Sequence, residues 1–592
     1  MVPFLLFCYI IIAMKYFNKL ILTCLAFSAV ILPAQASFTP NIPAATMQIA
    51  REAEMRTAKN IPISEIVRVG LSDTGFKNYD YNEIYIYGTD TIEIYNENSI
   101  LGTYNPNENI HVKFDNGTYS IYRSDGSIID EVAGPVTFTC PQGLLGVKGL
   151  KRAGKPAIYH GAFQLVKKND KRFNLINLIE VEDYLKGVVP NEMPVRFGLE
   201  ALKAQSVAAR NYVLTPRTKS SVNYDVVDSV ASQVYYGANT ENPLSNRAVE
   251  ETAGIVALYH WDMILALYSS TAGGYTESYS NAFSDPSTKD FPSEGKPYLI
   301  ARPDILSQTP LNTEEAAYEY YKSRPDSYDI RSPYFRWERE WTAEELRKNL
   351  ESTLVTQSCT GFVKPAFKKG DKLDTLKEII VHKRGESGKI VELEIVTSSQ
   401  NIKVYKELVI RRLITKDGKA LPSANVVFEH TANEIGDLIS IKAYGGGYGH
   451  GVGMSQFGAG FMGSELKLPY EKILQHYYAG ITLGTKPVII SSNSAQQAVT
   501  QQFYSRDKKA RIIVDNKFQA AKFTAVINGR EVSFDLPKSL LPAKRICEID
   551  ISKYLDKGIN TITFYYPPEE GDKKALRLFV EVVKSDGTDD IW

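Results

Sequence analysis

Val181-Glu182-Asp183-Tyr184-Leu185-Lys186-Gly187-Val188-Val189-Pro190-Asn191-Glu192-Met193-Pro194 is where the chain changes from strand-like to helical patterning. Val181 to Lys186 reads as a short helix, and Gly187-Val188-Val189-Pro190 breaks it. A second helix is expected from about Pro194 to Leu214, because proline is tolerated in a first turn and Pro216 stops what precedes it. Its centre, Leu199-Glu200-Ala201-Leu202-Lys203-Ala204-Gln205-Ser206-Val207-Ala208-Ala209-Arg210, is made of strong helix formers. Lys203, Ser206 and Arg210 share one face at i, i+3, i+7 spacing, and an Ala-rich face lies opposite for close packing.

Outward from this centre the chain is mostly β. Residues 61–155 alternate, as in Ile84-Tyr85-Ile86-Tyr87, with hairpin turns expected at Asn116-Gly117 and Asp125-Gly126. Residues 156–285 make a mixed core. Residues 286–430 read as an insertion, irregular at first, with a helix from Thr342 to Leu354 and short strands from Leu376 to His430. Residues 431–490 bring a Gly-rich loop and a helix from Tyr470 to Tyr478, capped by Gly480, that complete the core. Residues 491–592 form a further β domain, sandwich-like in pattern. The fold class is α+β: a mixed catalytic domain with β-rich N-terminal and inserted segments and a C-terminal β-sandwich-like domain.

The first 36 residues read as a targeting signal. Met14 opens a compact signal peptide with Lys15 and Lys19, an apolar run from Leu20 to Leu32, and the small-x-small site Ala34-Gln35-Ala36. An uncleaved membrane anchor is the other reading of the same residues. Residues 37–60 are a lead-in segment. Beyond residue 36 the three cysteines, Cys140, Cys359 and Cys547, are odd in number and far apart, so they make no disulfide framework. Lys plus Arg and Asp plus Glu both number 68, which argues against a broad nucleic-acid-binding face. The 36 tyrosines suit either strand packing or stacking on sugars. The sequence sets no oligomeric state.

Two further segments carry polar and glycine residues in dense array: Tyr268-Ser269-Ser270-Thr271-Ala272-Gly273-Gly274-Tyr275-Thr276-Glu277-Ser278 and Gly449-His450-Gly451-Val452-Gly453-Met454-Ser455-Gln456-Phe457-Gly458-Ala459. The pair Gly273-Gly274 permits close approach of a ligand or makes a tight turn. The glycines at 445, 446, 447, 449, 451 and 453 read as a flexible loop, without the spacing of a dinucleotide fingerprint.

In this order the three segments resemble the family of sporulation stage II protein D and the amidase enhancers, over about Ile66 to Leu483. The resemblance implies a protein that cuts bacterial cell-wall glycan strands, or helps another to cut them, with the Glu of the Pro-x-Glu-Met segment, Glu192, as catalytic residue. One carboxyl suffices for a lytic transglycosylase. It protonates the glycosidic oxygen, then takes the proton of the sugar's own 6-hydroxyl as that oxygen attacks the anomeric carbon. Glycosidases that activate water use two carboxylates.

An acid of this kind needs a raised pKa, which burial against Val188, Val189 and Met193 supplies, while a following helix N-terminus works against it. A helix-capping carboxylate is the other reading of Glu192. Residues expected to bind substrate are Lys203, Gln205, Arg210, Gln233, Tyr235, Ser270, Thr271, Gly273, Gly274, His450, Ser455 and Gln456, with His450 also placed to orient Glu192. A surface helix face is the other reading of Lys203 and Arg210, and Glu182 and Asp183 read as solvated.

Several members of that family carry an Asp-x-x-His-Cys-Gln-x-Tyr segment that binds zinc. The matching stretch here, Asp228-Ser229-Val230-Ala231-Ser232-Gln233-Val234-Tyr235, lacks the His and Cys, so no metal and no cofactor are expected. The expected partners are peptidoglycan glycan strands and a cell-wall amidase. The expected location is outside the cytoplasm, in periplasm or cell wall. The alternative to an enzyme is a non-catalytic glycan binder that stimulates an amidase.

Overall fold

A computed structural model describes residues 65–215, 221–304, 310–491, 498–537, 539, 541, 545–566 and 575–583. The targeting signal, the lead-in segment and Pro216 lie outside them.

Alternating strands build the N-terminal part as two facing sheets. One runs, in spatial order, Val226–Val227, Ile66–Gly70, Arg172–Glu180, Ala162–Asn169, Val136–Thr139, Ile92–Asn96 and Ser99–Tyr104. The other runs Lys155–Tyr159, Leu145–Arg152, Glu83–Gly88, Ile110–Asp115, Thr118–Tyr122 and Ile128–Ala133. Inward residues such as Ile84, Ile86, Val112 and Phe138 are buried between them. The Asn116-Gly117 turn forms as expected, with positive φ at both residues (48° and 82°), the twist that matches paired strands. The two layers run on to Glu180, past residue 155, because Arg172–Glu180 pairs with the first strand from Ile66↔Glu180 onward.

That last strand ends directly in the helix Val181–Lys186, which mounts the helical core on the sandwich. A second clamp is buried. Asp228 accepts from Arg152 Nη2 at 2.5 Å and from Ser72 Oγ at 2.8 Å.

The long helix is Leu199–Leu214, and every residue from Ala201 to Asn211 is buried. The two-faced helix expected from the sequence is therefore corrected to one enclosed all round. A 3-10 turn, Val195–Phe197, and Gly198 at φ 87° precede it, so it does not start at Pro194.

The insertion has its own core. The helix Ala343–Ser358, capped by Thr342, sets Leu346, Leu350 and Leu354 against two small sheets. One of these pairs Trp337–Thr342 and Val426–Ala432 with Leu438–Gly445 on either side. The inserted sheet thus reaches Gly445, beyond residue 430. The C-terminal part is two sheets as its pattern suggests, but it is not a free-standing module. Thr482–Gly484 pairs both with Val256–Tyr259 of the core and with the last strand, Leu576–Val583.

Candidate functional site

Glu192 closes a single helical turn, Val189–Glu192, and Met193 after it is extended. The long helix begins only at Leu199, so no helix N-terminus holds the Glu192 anion. Its neighbours in sequence Val188, Val189 and Met193 are fully buried. Oε1 accepts the Val234 N–H at 2.6 Å, and the residue stays partly exposed. Among the described residues no other hydrogen bond to the carboxyl is found. Burial pushes its pKa up to about 7, against the opposing pull of the Val234 N–H. No second acid contributes to that shift.

The phenol of Tyr268 lies within electrostatic reach of Glu192. Burial, and then the Glu192 charge, hold it well above the ordinary tyrosine range, so it remains a neutral phenol. Gln233 fixes it: Tyr184 Oη donates to Gln233 Oε1 at 3.1 Å, and Gln233 Nε2 donates to Tyr268 Oη at 2.9 Å. Gln233 is fully buried, so it positions Tyr268 and does not face a ligand. Tyr235 is also enclosed, donating to Asn177 Oδ1 at 2.7 Å.

The second and third segments meet as expected. Tyr268–Ser269 pairs in parallel with Met454–Ser455. Thr271 and Tyr448 exchange backbone hydrogen bonds at 3.4 and 2.9 Å, and Glu277 N–H donates to Gly451 O at 2.8 Å. Ser270 O accepts the Phe457 N–H at 3.1 Å.

The Gly-rich stretch is a close-packed crossing and not the flexible loop its composition suggests. A Cβ on Gly273 would stand 2.7 Å from the Gly446 carbonyl carbon, and one on Gly453 would stand 2.1 Å from Leu267 O. Asp329, which no sequence signal marks, ties the turn from beneath. Its Oδ2 accepts from Thr271 Oγ1 at 2.5 Å, Gly273 N at 2.8 Å and Gly274 N at 3.2 Å.

Several expected ligands turn out to be supports. Arg210 spends its guanidinium on Glu182 at 2.9 and 2.6 Å and on Ile255 O at 2.9 Å. Glu182 is therefore paired, not merely solvated. Lys203 is held by Glu200 at 2.9 Å and Glu251 at 2.6 Å. Two cavities of about 400 and 300 Å³ lie towards the C-terminal part. Lys203 lines the first and Arg210 the second, and Glu192 lines neither. Ser455 caps the helix Gln456–Ser464 by accepting the Gly458 N–H at 3.3 Å. Gln456 Nε2 donates to Gln205 Oε1 at 3.1 Å, tying that helix to the long one.

His450 does not reach Glu192 by a hydrogen bond. Its Nδ1 accepts the Val452 N–H at 3.0 Å, and it bonds the Tyr268 main chain. Burial, with Lys389 and Arg411 nearby, pushes its pKa down to about 3, so it is neutral at physiological pH. It thus holds the backbone that carries Tyr268.

A second buried carboxyl went unmarked as a site residue. Glu277 accepts from Ser278 N at 2.8 Å, Asn281 Nδ2 at 3.0 Å, Ser387 N at 3.2 Å and Ser387 Oγ at 2.6 Å. It also shares a hydrogen bond with Glu386, and burial with that neighbour pushes its pKa up. The position joins core to insertion. Among the described residues no three His, Cys, Asp or Glu side chains cluster to hold a metal ion.

Comparison with known proteins agrees with the resemblance drawn from the three segments. Residues 169–259 match the Stage II sporulation protein family, and residues 287–453 match a family described only as a domain of unknown function. The amidase enhancer of Bacillus subtilis (strain 168) is 30% identical over 319 residues, covering 50% of this chain and 40% of that protein. This chain therefore spans less than half of that relative's length. Stage II sporulation protein D of the same organism is 27% identical over 335 residues, covering 54% of this chain and 78% of that one. An uncharacterized protein of Brachyspira hyodysenteriae is 27% identical over 327 residues, covering 55% and 72%.

Proposed function

For a chain that carries a Stage II sporulation protein domain over residues 169–259, we propose an exported protein that cleaves peptidoglycan glycan strands as a lytic transglycosylase. The observation that carries this reading is the state of Glu192. The carboxyl of this one partly exposed residue has its pKa at about 7 through burial, with a single N–H on one oxygen and no second acid acting on it. Such a group is protonated in a useful fraction near neutral pH and becomes a base after giving up its proton. That is the sequence of states the anhydro-forming reaction needs. Protonation of the glycosidic oxygen breaks its bond to the anomeric carbon. The sugar's 6-hydroxyl oxygen then bonds to that carbon, and its proton returns to Glu192. The neutral Tyr268 phenol lies within electrostatic reach of this carboxyl, held by Gln233 at its hydroxyl and by His450 at its backbone.

The test is mass spectrometry of glycan strands stripped of stem peptides, after incubation with residues 37–592. The expected products are 1,6-anhydro ends that vanish with Glu192→Gln. Reducing ends would contradict the one-carboxyl mechanism. The relative named amidase enhancer favours a second reading, a glycan binder that stimulates a separate cell-wall amidase. Strand binding without cleavage, together with faster amidase turnover, would establish it instead. Export through residues 1–36 is checked by N-terminal sequencing of the released protein, which should begin at Ser37.

A further inference from the structure

Tyr448 lies in the middle of the Gly-rich crossing, yet its ring is 45% exposed. Tyr334, from the irregular part of the insertion, is 36% exposed and meets it with ring centroids 4.5 Å apart and planes tilted by 42°. Neither phenol oxygen has a hydrogen-bond partner among the described residues. Large aromatic rings left open side by side are uncommon on a surface where most others are buried.

The two rings are mounted rigidly. Gly447 N–H donates to Tyr334 O at 2.8 Å, Tyr448 N–H to Thr271 O at 2.9 Å, and Gly449 N–H to Pro422 O at 3.0 Å. Trp337 Nε1 donates to Gly447 O at 3.2 Å from below. A platform whose backbone is already fixed loses little entropy when a ligand lands on it.

Its place relative to Glu192 follows from the chain. Tyr448 pairs with Thr271, three residues and roughly 10 Å of extended backbone beyond Tyr268. Phe197 and Phe457, both half-buried, meet edge to face at 4.9 Å, and Phe457 N–H bonds Ser270 O on the same segment, two residues beyond Tyr268.

We propose that Tyr334 and Tyr448 form a pyranose-stacking subsite for the glycan strand, holding a sugar ring to one side of the bond at Glu192. The inference rests on the glycan-cleaving reading above. It gives the inserted domain, of which Tyr334 is part, a role in substrate binding. The C–H faces of a pyranose lie against the rings, and the open phenol hydroxyls reach its polar substituents.

The test uses Glu192→Gln as a silent background and measures its affinity for stripped GlcNAc–MurNAc strands. Adding Tyr334→Ala and Tyr448→Ala should weaken binding on the order of 10-fold or more, while the two Tyr→Phe changes should keep it within about 3-fold. Binding unchanged by the alanine pair overturns the subsite and leaves the reading of Glu192 standing. No strand binding by the Glu192→Gln parent itself overturns both. In the Glu192→Gln protein with both tyrosines intact, strands should shield Tyr334 and Tyr448 from nitration by tetranitromethane. Equal nitration with and without saturating strands overturns the subsite independently of how the variants fold.

Discussion

Glu192 and Glu277 are both carboxyls pushed up from the ordinary glutamate range, and they sit in opposite surroundings. Glu192 is partly exposed as a residue, has one N–H on one oxygen and no further hydrogen bond among the described residues, and no acid acts on it. Glu277 is fully enclosed, accepts four hydrogen bonds and shares another with Glu386. Gly385 presses on it so closely that a Cβ there would stand 2.3 Å from its Oε2. The first is poised to exchange a proton with something that arrives from outside. The second is a seam between core and insertion. A raised pKa alone does not distinguish a catalytic acid from a structural one. Unspent hydrogen-bonding capacity on a partly exposed residue does.

The sharpest way to break this comparison is to neutralise each carboxyl at constant shape. Glu192→Gln should lower strand cleavage by ~10³-fold or more, the loss expected when a general acid is removed. Glu277→Gln should change it by less than about 10-fold. An equal loss from Glu277→Gln in a folded protein would erase the distinction.

Deleting the side chains should reverse the order. Glu277→Ala opens a cavity and strands Ser387 and Asn281, costing roughly 2–4 kcal/mol in thermal or denaturant unfolding, whereas Glu192→Ala costs about 1 kcal/mol or less. Arg210→Ala extends the test to an expected ligand that proved to be a support. It leaves Glu182 unpaired beside a buried gap and should cost roughly 2–4 kcal/mol, with strand affinity unchanged in the protein that remains folded.

The smallest effect is a gain. Glu192 binds its proton more tightly folded (about 7) than unfolded, so the stability it contributes is complete at acid pH and lost as pH rises through 7. Glu192→Gln should therefore stabilise the protein at pH 8 by about 1–3 kcal/mol and leave it unchanged at pH 4. Unfolding midpoints at the two pH values check this.

What was legible in the sequence was local. The Asn116-Gly117 hairpin, the helix Val181–Lys186 and the helix expected from Thr342, which begins at Ala343, depend on residues a few positions apart. So did the apolar setting of Glu192, since Val188, Val189 and Met193 are its immediate neighbours. Apart from Glu200, one helical turn before Lys203, the partners that turned Lys203 and Arg210 from ligands into supports are Glu251, Glu182 and Ile255, which no helical period connects to them. Asp329 lies in a stretch with no pattern and ties the turn through groups far away in sequence, the Thr271 hydroxyl and the Gly273 and Gly274 N–H groups. The glycines were legible as composition, but their purpose, close passage of one strand over another, exists only once Gly273 and Gly446 are brought together.

The central claim is that Glu192 works as an acid whose pKa is set by burial. The pH dependence of strand cleavage tests it most directly. The account predicts a rate (kcat/KM) that falls as pH rises through about 7, with the same midpoint in Glu277→Gln. A rate that stays level across neutral pH, or rises through it, would mean that the ionised carboxylate starts the reaction, and would contradict the account.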